Sequence, residues 1–273
     1  MVPALRPIGN SPLFKQRLIA RINRSLSTKW PFELDPESIL PFRKRELPKK
    51  VNAETFVSLS PKCKFDPAEL IGRYQIKVSG LLHVGAHKGE EIPSYLDAGV
   101  RHAVLIEPLM ENFRELTRRI KGIDGFIAFQ NAAGDVNQIT EIHLASNDLQ
   151  SSSILKPALH LAQVPEIKFQ GVEKVLQIRI DDLDLNIKPN FWVIDVQGYE
   201  MQVLKGAEDK IQDCEYIFIE INRGEVYENC TKIADLDLYL NNLGFQRVLF
   251  RWWPLWGDGF YVRKDLFPLV LNS

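Results

Sequence analysis

A chain of 273 residues with 45% hydrophobic and 25% charged residues is ordinary globular material, long enough for one domain with a large core and an extension. Its formal net charge of −1 excludes strong general attraction to nucleic acid or to an anionic membrane. Cys63, Cys214 and Cys230 are too few and too scattered for a disulfide framework or zinc knuckle and fit reduced thiols in a cytoplasmic protein; no apolar run reaches the roughly 18 to 20 residues of a membrane span, and no secretory signal is read at the start.

The charge is unevenly distributed. Residues 1–50 carry eleven Lys or Arg against four Asp or Glu, whereas the remainder is acidic. Residues 11–26 read as a helix, with Ser11 as N-cap and Pro12 in the first helical position. Leu13, Phe14, Leu18, Ile19, Ile22 and Leu26 make an apolar stripe, and Lys15, Arg17, Arg21 and Arg24 fall mostly outside it. Such a helix can lie on a membrane surface, but docking on the core or a second subunit is the preferred reading. Residues 27–65, with five prolines, read as a linker or wrapping arm. The boundary between this extension and the main domain is drawn at residue 70.

From residue 80 the pattern alternates. Strands are expected at 80–84, 103–106, 125–131, 141–145, 175–180, 191–195 and 216–221, and helices at 89–98, 108–120, 199–204 and 233–243. The last two strands, 245–251 and 259–263, read as an antiparallel pair. Strand–helix alternation predicts an α/β domain with a mostly parallel sheet covered by helices on both faces.

Ligands of such sheets bind beyond the carboxyl ends of the strands. The segment LLHVGAHKGEE (81–91) is a strand, a turn with Gly85 and Gly89, and a helix start, whose N-terminus offers free N–H groups to a pyrophosphate or carboxylate. A dinucleotide fingerprint needs a middle glycine where this chain has His87. Glu107 ends the second strand 22 positions after Gly85, an offset suited to accepting both ribose hydroxyls of a nucleoside, although a helix-capping role is the plain alternative. Pro108 opens the next helix, and Asn131 at the end of the third strand is placed to face an adenine.

With these pieces in order, the chain from about residue 80 to 264 resembles the FkbM family of methyltransferases. The matching segments are VGAHKGEE (84–91), IEP (106–108), QSSSIL (150–155), IDVQGYEMQVLKGA (194–207), IEIN (219–222) and WGDGFY (256–261). The resemblance implies a class I methyltransferase core with a Rossmann-like seven-stranded sheet, S-adenosylmethionine as donor, and O-methylation of sugars or natural products. It implies that Gly85, Ala86, His87, Gly89 and Glu107 surround the cofactor and that Asp195 lies beside the transferring methyl; Glu91, Pro108 and Asn131 are counted as further cofactor-binding candidates. Two departures stand out. His83 occupies a place where the family usually has Asp, and Val193 and Gln197 stand where its motif often has Lys and Glu.

Methyl transfer from a sulfonium chiefly demands alignment, with a base to take the hydroxyl proton. Asp195, Glu220, Asp258 and His87 lie at strand ends or in loops of one sheet edge. Asp195 is assigned to the cofactor's amino end and Glu220 to base or hydroxyl orienter; His87 is read equally as functional or as a loop histidine bonded to backbone. Asp195, Glu220 and Asp258 could gather a hard cation, but no spacing demands one and no metal is assigned. Gln150, Ser151 and Ser152 supply polar groups for a carbohydrate. Trp256 and its neighbouring tryptophans offer a stacking face, a lid or a subunit interface. Tyr227 completes the substrate candidates. A nicotinamide-dependent oxidoreductase and a non-catalytic nucleoside-binding scaffold are the competing functions.

Overall fold

The computed structural model describes residues 65–266. The basic helix expected at 11–26, nearly all of the Pro-rich arm and Cys63 lie outside the described residues. The description opens with α1 (Pro67–Arg73), which crosses the boundary drawn at residue 70. Asp66 caps it by accepting from Glu69 N at 2.9 Å, and Pro67 fills the first turn, where its missing N–H costs nothing.

Seven strands form the main sheet: β1 (Leu81–Val84), β2 (Ala103–Ile106), β3 (Phe126–Phe129), β7 (Phe191–Ile194), β8 (Tyr216–Asn222), β9 (Phe245–Trp252) and β10 (Trp256–Arg263). Their spatial order is β3-β2-β1-β7-β8-β10-β9. The first five are parallel, and β10 runs antiparallel to both β8 and β9. This is the mostly parallel sheet with a C-terminal antiparallel hairpin that defines the class I methyltransferase core. Order reverses between β1 and β7, so the crevice at their carboxyl ends is the natural ligand position.

Both faces of the sheet are covered, and the central strands β1, β2, β7 and β8 are buried at every position. Leu82, Val84, Val104, Ile106, Trp192, Ile194, Ile217, Ile219 and Ile221 share one core with residues of α5 (Glu200–Lys205) and α6 (Ile233–Asn242). The alternate side chains, among them Leu81, Leu105 and Phe191, are equally buried on the opposite face. There α2 (Ile92–Asp97) sets Tyr95 against His83, and Tyr74, just past α1, stacks on Phe260. Trp192, wholly buried, satisfies its indole N–H on Pro189 O at 2.8 Å. The third helix, α3 (Met110–Ile120), turns Asn112 and Leu116 inward, and a single turn, α4 (His160–Gln163), completes the helices.

The structure corrects one expectation. The extended runs at 141–145 and 175–180 do not join the main sheet. They lengthen into β5 (Gln138–Ala145) and β6 (Phe169–Ile178), which with the short β4 (Ala132–Ala133) make a separate sheet of order β4-β6-β5. Their alternation fits one-sided burial. Ile142 and Val175 pack with Leu109 and Ala132, while Ile139 and Leu176 face outward.

Gly85 fixes how closely β1 and β7 meet. Its φ is +84°, and a Cβ there would lie 1.8 Å from the Asp195 carbonyl oxygen. Gly85→Ala is therefore expected to lower unfolding free energy by about 2–4 kcal/mol, read from chemical denaturation midpoints. An unchanged midpoint would show that the β1 and β7 ends are not locked together.

Candidate functional site

An open cleft lies at the carboxyl ends of β1, β2 and β7, with about 590 Å³ of empty space that is continuous with solvent. Its wall includes Gly85, His87, Glu107, Pro108, Asn131, Gln150, Ser152 and Asp195. The structure thus brings together eight of the residues singled out in the sequence. The others are placed differently. Ala86 is buried, and Gly89 is packed where a Cβ would press on Ile92 and Leu116, so its smallness serves packing rather than a ligand. Glu91 precedes α2 without capping it by its side chain. Asp258, expected in a turn, is inside β10 and registers opposite Glu220 of β8.

The first turn differs from expectation in its hydrogen bonding. Gly85 N and Ala86 N both donate to Ile106 O, at 2.9 and 3.0 Å, Gly89 N donates to Ala86 O, and His87 N donates to Glu107 Oε2 at 2.9 Å. Helix α2 begins only at Ile92. These four donors are committed to protein acceptors and are not free for an anion.

Glu107 caps the start of the next helix and also lines the cleft. Oε1 accepts from Leu109 N at 2.9 Å and from Asn112 Nδ2 at 3.4 Å, which fixes the carboxylate at the start of α3. Each carboxylate oxygen has two lone pairs, so capacity remains toward the cleft that Glu107 lines. Burial raises its pKa, and the Leu109 N–H works against that rise. Asn112, also on the wall, was not singled out from sequence.

At the end of β7 sits a cluster of carboxylates joined by an amide. Gln197 Nε2 donates to Asp195 Oδ1 at 2.6 Å and to Glu220 Oε2 at 2.9 Å. The two acceptor oxygens are therefore no more than about 5.5 Å apart, where two full charges at an effective dielectric near 20 repel by about 3 kcal/mol. Glu220 is buried and absent from the cleft wall, meeting it through Gln197. Burial, then Asp195, Glu200 and Asp258, hold the Glu220 carboxyl well above the usual range. Burial raises Asp195 too, countered by the Gln197 hydrogen bond. Burial pushes Glu200 up to about 7, and burial together with Asp195 pushes Asp258 up to about 8. His83, with Tyr95 Oη 3.1 Å from its Nδ1, is brought down to about 4 by burial despite Asp195 nearby.

Two expected ligand contacts, Tyr227 and Ser151, act from behind the wall. Tyr227 has no exposed surface; its hydroxyl is 2.8 Å from Gln197 Oε1 and 2.9 Å from Ser151 O, so it braces the site instead of touching a substrate. Ser151 is turned inward, its Oγ accepting from Asn147 Nδ2 at 2.9 Å. His87 spans Glu90 through Nδ1 (2.9 Å) and Asp148 O through Nε2 (2.7 Å), and Lys88 pairs with Asp148 at 2.5 Å. These contacts tie the 146–153 loop to the first turn across the cleft. Trp256 stacks on Trp253 and packs against the cluster of Val226, Tyr227 and Cys230. Among the described residues, no group of three His, Cys, Asp or Glu is arranged to hold a metal.

The carboxylate cluster sets a pH signature. Asp258 has its folded pKa above its unfolded value, so its contribution is complete below about 3.8 and is lost as pH rises through about 8. Glu200 acts in the same sense through about 7. His83 acts oppositely: its contribution is complete above 6.5 and is lost as pH falls through about 4. Asp258→Asn is expected to stabilise the protein at pH 9 by about 1 kcal/mol, allowing for solvent screening of a partly exposed group, and by roughly a third of that at pH 5. Denaturation midpoints at the two pH values check this; an equal shift at both would remove the assignment.

Residues 83–247 match the Methyltransferase FkbM domain family. A 2-O-methyltransferase, NoeI, of Sinorhizobium fredii is 25% identical over 170 residues, covering 58% of this chain and 70% of its own. Among solved structures, a SAM-dependent methyltransferase from Aquifex aeolicus aligns with a TM-score of 0.42 at 12% identity, covering 73% of this chain and 90% of its own. A ribosomal protein L11 methylase from Lactobacillus delbrueckii aligns with a TM-score of 0.42 at 11% identity over 72% of this chain and 77% of its own. The family match spans more than half of the sequence and includes the ends of β1, β2, β7 and β8, and the chain belongs to the FkbM family of S-adenosylmethionine-dependent methyltransferases.

Proposed function

We propose that this methyltransferase transfers the methyl group to a hydroxyl of a sugar, glycan precursor or related polyhydroxylated metabolite. The observation that carries the cofactor half is the composition of the cleft wall. It holds the carboxylates of Glu107 and Asp195 and no Lys or Arg. Acceptor-only groups suit a donor that presents ribose hydroxyls and positive charge, and they do not suit a pyrophosphate, which speaks against a nicotinamide dinucleotide. In this reading Glu107 takes the ribose hydroxyls, Asn131 flanks the base, and Asp195 faces the cationic amino-acid end. S-adenosylmethionine, when bound, supplies an already activated methyl, so the protein's work is alignment and removal of one proton.

The acceptor half rests on the β8–β10 side. Glu220 and Asp258 are cross-strand partners, and Trp256 registers opposite Asn222 one pleat further along the same face. This pair is the proton-accepting side, with Trp256 offering an apolar face to a sugar ring and Gln150 and Ser152 adding polar contacts from the facing loop. The similarity to a 2-O-methyltransferase supports oxygen as the acceptor atom. No helix among the described residues is long and apolar enough to cross a membrane.

Two substitutions separate the halves. Glu107→Gln should weaken S-adenosylhomocysteine binding by about 10- to 100-fold, the loss of hydrogen bonds to a charged acceptor. Calorimetry reads this, and unaltered affinity would discredit the ribose assignment. Glu220→Gln should leave that affinity within about twofold and lower methyl transfer at least ~100-fold, followed with labelled donor on a panel of sugars. Wild-type rates in that variant would remove Glu220 from the proton-accepting side.

A further inference from the structure

The geometry assigns Gln197 a positioning role: one side-chain amide grips Asp195 and Glu220 together and holds both carboxylates in register at the base of the cleft. This deepens the proposed function and rests on its reading of the cleft as the methyl-donor site.

Four observations converge on Gln197. Its two N–H bonds, at 2.6 and 2.9 Å, reach carboxylates from the ends of two neighbouring strands. Its amide oxygen faces the buried Tyr227 hydroxyl at 2.8 Å. The reverse orientation would set the amide oxygen against both carboxylates, so the flip state is determined by charge. The backbone is held as firmly. Gln197 adopts φ +57°, a region unfavourable to side chains, and its carbonyl accepts from Ser153 Oγ at 2.7 Å. Gly198 follows at φ +98°, where a Cβ would meet Cys230 at 2.8 Å, so the turn that aims the amide tolerates no larger residue.

The chemistry follows from the donor count. A neutral amide satisfies both carboxylates without adding charge, and hydrogen bonds to the ionised form favour it. Other groups facing the pair come from each neighbouring element: His83 from β1, His87 and Glu91 from the first turn, Glu200 from α5, Asn222 from β8 and Asp258 from β10. Five of these are titratable, three of them carboxylates, and the imidazole of His83 is held neutral by burial. Gln197 is the donor shared by both carboxylates. Removing it leaves two like groups facing one another, and Asp195 then takes up a proton where a cationic ligand needs it ionised.

Gln197→Met keeps length and removes both donors; Tyr227→Phe keeps the donors and frees the amide to turn. In Gln197→Met, S-adenosylhomocysteine affinity should fall by up to about tenfold, the most that one unit of pKa displacement gives, and the loss should shrink as pH rises. Binding at pH 7 should release more protons than in wild type, measured in buffers of different ionisation enthalpy. Tyr227→Phe should show the same trend at smaller amplitude. Without ligand, the thermal midpoint of Gln197→Met should fall progressively below wild type from pH 6 to pH 9. A merely structural residue would shift affinity and midpoint equally at every pH, and that result would overturn the assignment. If the wild-type protein fails to bind S-adenosylhomocysteine, the donor-site reading falls, while the ligand-free midpoints still decide whether the amide governs the two carboxylates.

Discussion

The structure is organised around an electrostatic cost. Asp195, Glu200, Glu220 and Asp258 converge at the carboxyl edge of the sheet, where the fold has removed most of their water. Isolated charges would be expelled from such a place or neutralised by protons. What holds them is a rigid backbone beneath and neutral donors between. β7 is buried at all four positions and β8 at all seven, so their ends cannot move apart to relieve the repulsion. Gln197, Asn222 and the Gly198 N–H supply donors to individual carboxylates without contributing positive charge.

The same edge shows why the departures from the usual family motif belong together. His83 lies at the end of β1 and is uncharged in its buried setting. Gln197 replaces a carboxylate at the centre of the cluster. An acid at either place would have added charge to a region that already raises the pKa of every carboxyl group within it. The two substitutions reduce the negative charge while leaving Asp195 on the cleft wall and Glu220 behind it.

Much of the fold was legible because parallel strands buried on both faces are almost wholly apolar: the runs FWVI and YIFI cannot be mistaken for surface. The sheet β4-β6-β5 was not, because β5 and β6 are half exposed and their side-chain pattern does not say which sheet they join. At the site, Glu107 and Asp195 were readable as acids closing apolar strands. Gln197 was quoted only as a departure, since its role depends on Glu220 and Tyr227, 23 and 30 positions away. A polar residue just before glycine at a strand end was the available signal, marking a turn with unusual backbone angles. Tyr227 looked like a substrate residue because aromatics near loops often are; its neighbours Val226 and Cys230 bury it instead.

Glu107 illustrates why capping and binding need not compete. A carboxylate that must hold a ligand within a few tenths of an ångström needs its own orientation fixed first. The N–H groups of His87 and Leu109 approach its two oxygens separately, Asn112 takes the second site on Oε1, and Oε2 keeps a lone pair. The first turn, expected to grasp a ligand with its own N–H groups, spends one of them on orienting Glu107. The cleft consequently presents acceptors where a nucleotide-phosphate site presents donors. In the proposed reading, a positively charged donor compensates buried carboxylates that the fold holds at a cost. On that reading, the electrostatic cost at the sheet edge and the affinity for a sulfonium cofactor are two expressions of one charge distribution.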